Sequence, residues 1–268
     1  NGLIVSDYSE EHNHHEAKKS LSEWMQEQEI PGITGIDTRA LTKKIREKGA
    51  MLGAIVKADR KHSEIKLQDP NKENLVDLVS IKEPIHLGRG KKTILMLDCG
   101  IKLNIVREVL KRGYKVILAP WDHDFLNSEF DFDGIFLSNG PGDPTMIKPL
   151  IDRITKAMAL DIPVVGICLG NQILALANGA KTYKLKYGHR SQNQPCIDLQ
   201  TGRCYLTTQN HGFNIDENSL PEDFKVWFRN ANDDTVEGIR HKTKPYASVQ
   251  FHPESTPGPN DTNYIFDE

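Results

Sequence analysis

The chain has 268 residues, 38% of them hydrophobic, enough to bury a sizeable core in one large domain or two modest ones. A formal net charge of -3 and a pI near 6.4 give no general attraction to nucleic acid or to an anionic membrane surface. The longest apolar runs, such as 94–97 and 162–167, are far too short to span a bilayer, and the mean hydropathy of -0.51 agrees.

In chain order, Leu3 to Val5 reads as a strand, and Ala17, Leu21, Trp24 and Met25 set an apolar stripe that predicts a helix over 16–28. Ile33 to Ile36 returns as a strand. Asp37 then caps a helix through Leu41 and Ile45 that Gly49 ends, and Met51 to Val56 extends again. Residues 1–57 thus form an α/β piece. Because Asn1-Gly-Leu-Ile-Val starts directly as a strand and 261–268 reads as a helix just begun, the chain is expected to be part of a longer polypeptide. His12, His14 and His15 lack a Cys or acidic ligand at matching spacing, so an exposed loop is expected and no metal site.

Residues 58–92 are polar and charged and read as a linker whose end marks a domain boundary. From Thr93 strands and helices alternate. Strands are predicted at 94–98, 115–119, 134–138 and 163–167, with helices near 103–112, 146–159 and 170–178. Nearly continuous apolar strands in that alternation imply a parallel sheet covered on both faces, with its site at the carboxyl ends of the strands. Beyond Lys181 shorter alternating strands, with turns at Gly188, Gly202, Gly212 and Gly238, predict an antiparallel extension.

Three stretches at predicted strand ends carry chemistry. Gly166-Ile-Cys-Leu-Gly170 breaks an apolar run and resumes as a helix, an elbow that would expose Cys168 to a helix's free N–H groups. Thiols at such helix starts ionise more readily than free cysteine. Ser138-Asn-Gly-Pro-Gly-Asp-Pro, with Gly140 and Gly142, can present backbone N–H groups to a reacting carbonyl, a donor worth roughly 2.7 to 4 kcal/mol in the transition state. In Val249-Gln-Phe-His-Pro-Glu, an extended backbone would put His252 and Glu254 on one side, the carboxylate orienting the imidazole toward a thiol. Read singly, these are also a core cysteine, an ordinary turn and an edge strand. Cys99, Cys196 and Cys204 are expected to be core or half-buried, and His189 and His241 to lie on the surface. Four cysteines without C-x-x-C spacing suit a reducing, cytoplasmic setting.

Together the three motifs, in this order over 93–268, resemble the class I, triad-type glutamine amidotransferases. Gln209-Asn-His-Gly-Phe, Gly179-Ala-Lys-Thr-Tyr-Lys, Asn193-Gln-Pro, Leu97-Asp-Cys-Gly-Ile-Lys and Pro120-Trp-Asp-His look like the glutaminase portion of glutamine-dependent carbamoyl-phosphate synthetase. Gly2-Leu-Ile-Val-x-Asp-Tyr-Ser and Gly35-Ile-Asp-Thr-Arg-Ala-Leu-Thr resemble the end of that family's small-subunit N-terminal domain.

The resemblance implies a flavodoxin-like open mixed, mainly parallel sheet over 93–268, preceded by part of a smaller α/β N-terminal domain. It implies Cys168 as nucleophile, His252 as base and then acid, Glu254 as its orienting group, and the N–H groups of Gly140 and Leu169 as oxyanion hole. Gly142, Gln172, Asn210, Gly212 and Phe213 match positions that grip glutamine. His211 falls in that loop without a proton-transfer role. The implied reaction turns L-glutamine into glutamate and ammonia through a thioester, with no cofactor in this portion. ATP, Mg and bicarbonate belong to a partner synthetase, as a large subunit or as fused domains. Two departures stand out: Asn171 replaces a residue commonly His, and the family's N-terminal domain extends further ahead and supplies a serine contact to glutamine. Relatives using free ammonia can carry serine at the nucleophile position. The alternatives are a dormant structural or regulatory module, or a glutaminase serving another synthetase.

Overall fold

A computed structural model describes residues 2–59, 61, 63 and 65–268. The reading of Asn1, and the linker reading at Arg60, His62 and Glu64, lie outside the described residues. The chain divides into two compact units, residues 1–69 and 70–268.

In the first unit, β1 (Leu3–Ile4) pairs in parallel with β2 (Gly32–Ile33), and α1 (Leu21–Glu27) and α2 (Thr38–Lys48) complete the fold. Helix α1 starts at 21 rather than 16 because Ser20 forms a capping box. The Ser20 hydroxyl accepts from the Glu23 N–H, and the Glu23 carboxylate accepts from the Ser20 N–H at 2.6 Å. Asp37 caps α2 by accepting from the Ala40 N–H, and Gly49 ends it at φ +84°. Of the apolar stripe expected to face inward, only Met25 is buried; Leu21 and Trp24 are 46% and 45% exposed. Residues 51–56 form no strand.

The second unit begins within the stretch read as linker. Its α3 (Leu75–Val79) is capped by Asn74, and β3 (Ile85–Leu87) pairs antiparallel with the strand Lys115–Pro120, so residues 70–87 belong to the folded unit. Then follow β4 (Thr93–Asp98), α4 (Leu103–Lys111), β5 (Lys115–Pro120), β6 (Gly134–Leu137), α5 (Lys148–Ala159), β7 (Val164–Ile167) and α6 (Leu169–Ala177). The chain continues with β8 (Lys181–Asp198), β9 (Cys204–Asp216), β10 (Phe224–Asn230), β11 (Val236–His241) and β12 (Tyr246–Val249). The sheet runs β3-β5-β4-β6-β7-β12-β11-β10-β8-β9. Its parallel part, β5-β4-β6-β7-β12, has the 2-1-3-4-5 order of flavodoxin-like folds. This is an α/β fold with a mixed sheet; every pairing from β12 outward to β9 is antiparallel.

Side-chain alternation along the strands builds a core on each face. Leu95, Leu97, Ile135 and Leu137 pack with α5 and α6, while Met96, Val116 and Phe136 pack with Ile105, Val106 and Val109 of α4. The strands after Lys181 are not short: β8 has 18 residues and β9 has 13. Only Gly202 stands in the connecting turn; Gly188, Gly212 and Gly238 lie inside strands, with Gly188 at an irregularity of β8 opposite β9. The loops that follow β4, β6, β7 and β12 carry the sequence motifs.

Candidate active site

The elbow is built from close approach. A methyl group on Gly166 would sit 2.5 Å from the Gly170 backbone, and one on Gly170 would sit 2.2 Å from the Leu137 carbonyl oxygen. The two glycines therefore let α6 start against β7 and β6. The left-handed conformation falls on Cys168 itself, at φ +56° and ψ -103°, a strained geometry for a non-glycine residue. The Cys168 N–H donates to the Val249 carbonyl at 2.9 Å, which ties the elbow to the end of β12.

His252 and Glu254 do not lie on an extended strand. Strand β12 stops at Val249, and the chain turns so that the Ser255 N–H donates to the His252 carbonyl at 3.2 Å. That turn, and not period-two alternation, brings Glu254 Oε1 to 2.7 Å from His252 Nδ1. Both side chains are buried, as is Cys168. Burial disfavours a charged His252, but the Cys168 sulfur, through charge and hydrogen bonding, and the Glu254 carboxylate outweigh it and raise its pKa to about 10. Burial likewise opposes ionised Glu254, yet His252 and Lys102 hold its carboxyl below the usual range. Imidazole and carboxylate thus form a charged pair beside the Cys168 sulfur.

Sequence reasoning missed Lys102. Its ammonium lies 3.1 Å from Glu254 Oε1 and donates to the Ser255 carbonyl at 2.6 Å, while Asn104 Nδ2 donates to the Glu254 carbonyl at 2.6 Å. The Lys102 N–H also donates to Asn139 Oδ1 at 2.8 Å, and Asn139 Nδ2 donates to the Gly100 carbonyl at 3.1 Å. These bonds join the loop after β4 to the turn after β6. The signal was present in Leu97-Asp-Cys-Gly-Ile-Lys, but nothing in its spacing points to residue 254.

Gly140 lies beside the elbow: a methyl group there would meet the Cys99 carbonyl oxygen at 2.2 Å and the Leu169 side chain at 2.6 Å. Leu169 opens α6, so its N–H is one of the helix's first-turn donors. Gly142, at φ +86°, stands further along the turn against Leu75. Gln172 is buried, and its amide donates to the Phe213 carbonyl at 2.9 Å and to Gln250 Oε1 at 3.1 Å. Asn210 is exposed, with its carbonyl 4.0 Å from Cys168 Sγ, and Gly212 and Phe213 follow on β9. Asn171 is buried without strain: its Nδ2 donates to Gln250 Oε1 at 3.1 Å and its Oδ1 accepts from Ser248 Oγ at 2.8 Å.

Three expectations are corrected. His189 and His241 are buried rather than on the surface, His189 beside His211 and His241 against Phe224 and Tyr246. Cys204 is exposed, whereas Cys99 and Cys196 are buried and burial pushes both thiols far up.

The sequence profile "Glutamine amidotransferase class-I" matches residues 95–268, and "Carbamoyl-phosphate synthase small chain, CPSase domain" matches residues 1–55. The carbamoyl phosphate synthase small chain of Pyrococcus furiosus is 48% identical over all of this chain and 74% of its own length. This chain belongs to the carbamoyl-phosphate synthase small-chain family. Its second unit is a class I glutamine amidotransferase domain. Multifunctional protein pyr1-3 of Dictyostelium discoideum is 49% identical over 99% of the chain, which spans 13% of that relative. Human carbamoyl-phosphate synthase [ammonia], mitochondrial, is 48% identical over 99% of the chain, which spans 18% of it. A crystal structure of "a putative gmp synthase subunit a protein" from Thermoplasma acidophilum shares the fold, with a TM-score of 0.53 and 24% identity over 67% of this chain and 91% of its own. No helix among the described residues is long and apolar enough to cross a membrane.

Proposed function

We propose that this small-chain family member hydrolyses L-glutamine and passes ammonia to a carbamoyl-phosphate synthetase, held in a separate large subunit or in fused domains. The line from Cys168 through His252 to Glu254 carries the reading, because the turn at 252–255 aims a charge-paired imidazole at a sulfur on a strained elbow. With its proton passed to His252, Cys168 Sγ adds to the carboxamide carbon, and the N–H groups of Gly140 and Leu169 stabilise the oxyanion. His252 gives its proton to the departing nitrogen as the carbon–nitrogen bond breaks, leaving a thioester and ammonia. It then takes a proton from water, whose oxygen attacks the thioester to release glutamate and the thiol.

Gln172, Asn210, Gly142, Gly212 and Phe213 would hold the amino-acid end of glutamine. The carboxamide chemistry needs no cofactor in this portion; ATP, Mg and bicarbonate would serve the synthetase. A cytoplasmic location is part of this proposal, although several relatives carry "mitochondrial" in their names.

Cys168→Ser is expected to abolish glutamine hydrolysis while ammonia-dependent synthesis by the full complex stays near the unsubstituted rate. Hydrolysis within tenfold of the unsubstituted chain, about 1.4 kcal/mol of barrier, would overturn the nucleophile assignment. A second reading, a dormant structural module, is favoured by the relatives with "ammonia" in their names at 48% identity. A glutamine-analogue electrophile separates the two. An active site is alkylated selectively at Cys168, and a dormant one is left unmodified.

A further inference from the structure

A second buried cluster lies away from the cysteine line, across three strands. His189 on β8, Gln209 and His211 on β9, and Glu237 on β11 converge, with Asp233 in the turn before β11. His189 Nδ1 lies 3.1 Å from His211 Nε2, 3.0 Å from Glu237 Oε1 and 2.8 Å from Gln209 Oε1. His211 Nε2 lies 3.0 Å from Gln209 Oε1 and 4.0 Å from Glu237 Oε1.

The protons can be assigned from the outer partners. Asp233 Oδ2, 2.8 Å from His189 Nε2, requires a proton on that nitrogen. The Phe213 carbonyl, 2.9 Å from His211 Nδ1, requires one there. With Nδ1 committed to that carbonyl, the buried His211 ring turns its Nε2 toward His189 and Gln209. Gln209 Nε2 donates to Thr207 Oγ1 at 3.1 Å and Cys196 Sγ at 3.2 Å, which turns its oxygen inward. His189 Nδ1, His211 Nε2, Gln209 Oε1 and Glu237 Oε1 therefore face one another, and Asn230 Nδ2 donates to Glu237 Oε1 at 3.2 Å from outside the group.

Glu237 is fully buried, and its Oε2 lacks a partner. Both histidines, meanwhile, have the arrangement that orients metal ligands, in which the outer nitrogen donates to a carboxylate or a backbone carbonyl while the inner lone pair points at the ion. The edges of 2.8 to 4.0 Å between donors bracket the value of about 3.3 Å expected for a tetrahedron with bonds near 2.05 Å to zinc.

We propose that His189 Nδ1, His211 Nε2, Glu237 and Gln209 Oε1 form a divalent-cation site of zinc type, with Asp233 orienting His189. Binding releases the His189 Nδ1 proton to solvent, and the ion's two charges balance the two carboxylates. The site leaves Cys168 and His252 untouched, and it pins Phe213 through His211. The function is structural, bracing β8, β9 and β11 behind the loop 210–213.

The test is metal content in the full chain. Cys168→Ser serves as background, since a thiolate beside an imidazole also takes zinc. The chain is incubated with a tenfold excess of zinc, passed over a desalting column and assayed for metal, with Glu237→Gln and His189→Gln made in the same background. The expected result is one ion per chain fewer in each second variant, the His12–His15 tract being common to all. Equal metal content in all three overturns the proposal. Where a second variant fails to fold, imidazole nitrogen NMR of the background chain decides. Loss of the His189 Nδ1 proton on adding zinc supports the site, and retention of both His189 protons overturns it, leaving a protonated histidine as all that the cluster holds.

Discussion

At the scale of single residues, Cys168 carries backbone strain that glycine would relieve, and its neighbours explain why it persists. Its N–H is held by Val249, and the flanking glycines leave no room for the elbow to relax outward. The pH dependence belongs to His252. Its pKa of about 10 when folded exceeds the ordinary 6.5 expected when unfolded. The proton therefore contributes stability that is complete below about pH 6.5 and is lost as pH rises toward 10. Thermal unfolding of His252→Asn across pH 6 to 10 is expected to show a deficit that is largest at the acid end and closes toward the alkaline end. Glu254→Gln removes the charge orienting and holding the imidazolium, so glutamine hydrolysis is expected to fall by about a hundredfold or more, with the alkaline limb of the rate profile moved to lower pH. The imidazole–carboxylate pair could be foreseen from His-Pro-Glu. The Lys102 contact could not, because 152 residues separate it from its partner and no local spacing encodes that distance.

At the scale of elements, the β7–α6 elbow is the tightest junction. Gly170→Ala places a methyl group 2.2 Å from a backbone oxygen of β6, which cannot move without breaking the parallel ladder. A loss of about 3 kcal/mol or more is expected in urea unfolding, with no such loss for Gly113→Ala beyond its left-handed strain, since nothing lies within 4 Å there. Helix α1 shows where periodicity misled. The stripe from Ala17 suggested an earlier start, but the reciprocal Ser20–Glu23 cap terminates the helix at its amino end. Glycine marks turns locally, so the sequence pattern predicts several short strands where the β8–β9 hairpin stands. Here Gly188 and Gly212 serve an irregularity and close packing: a methyl group on Gly188 would meet the His211 carbonyl oxygen at 2.3 Å.

At the scale of the whole molecule, the two units differ in kind. Residues 70–268 contain both buried clusters, whereas Met25 is the one apolar side chain buried among the described residues of 1–69. Residues 70–268 expressed alone are expected to unfold in one cooperative transition, and residues 1–69 alone to show no protected amides in hydrogen exchange. A single sharp transition with protected amides in the shorter piece would contradict this.

What the sequence by itself determined is the alternation of apolar strands and helices after Thr93, the strand-to-helix break around Cys168 and the motif order that marks the family. Each of these rests on contacts within a few residues, where spacing alone encodes geometry. Tertiary structure alone decided that 70–87 joins the sheet, that Glu254 reaches His252 through a turn, and that Lys102 braces it. It also decided that His189 is buried against His211 and Glu237. Those outcomes depend on which strands become neighbours, and neighbours in this sheet come from positions up to 82 residues apart, such as Tyr246 beside Val164.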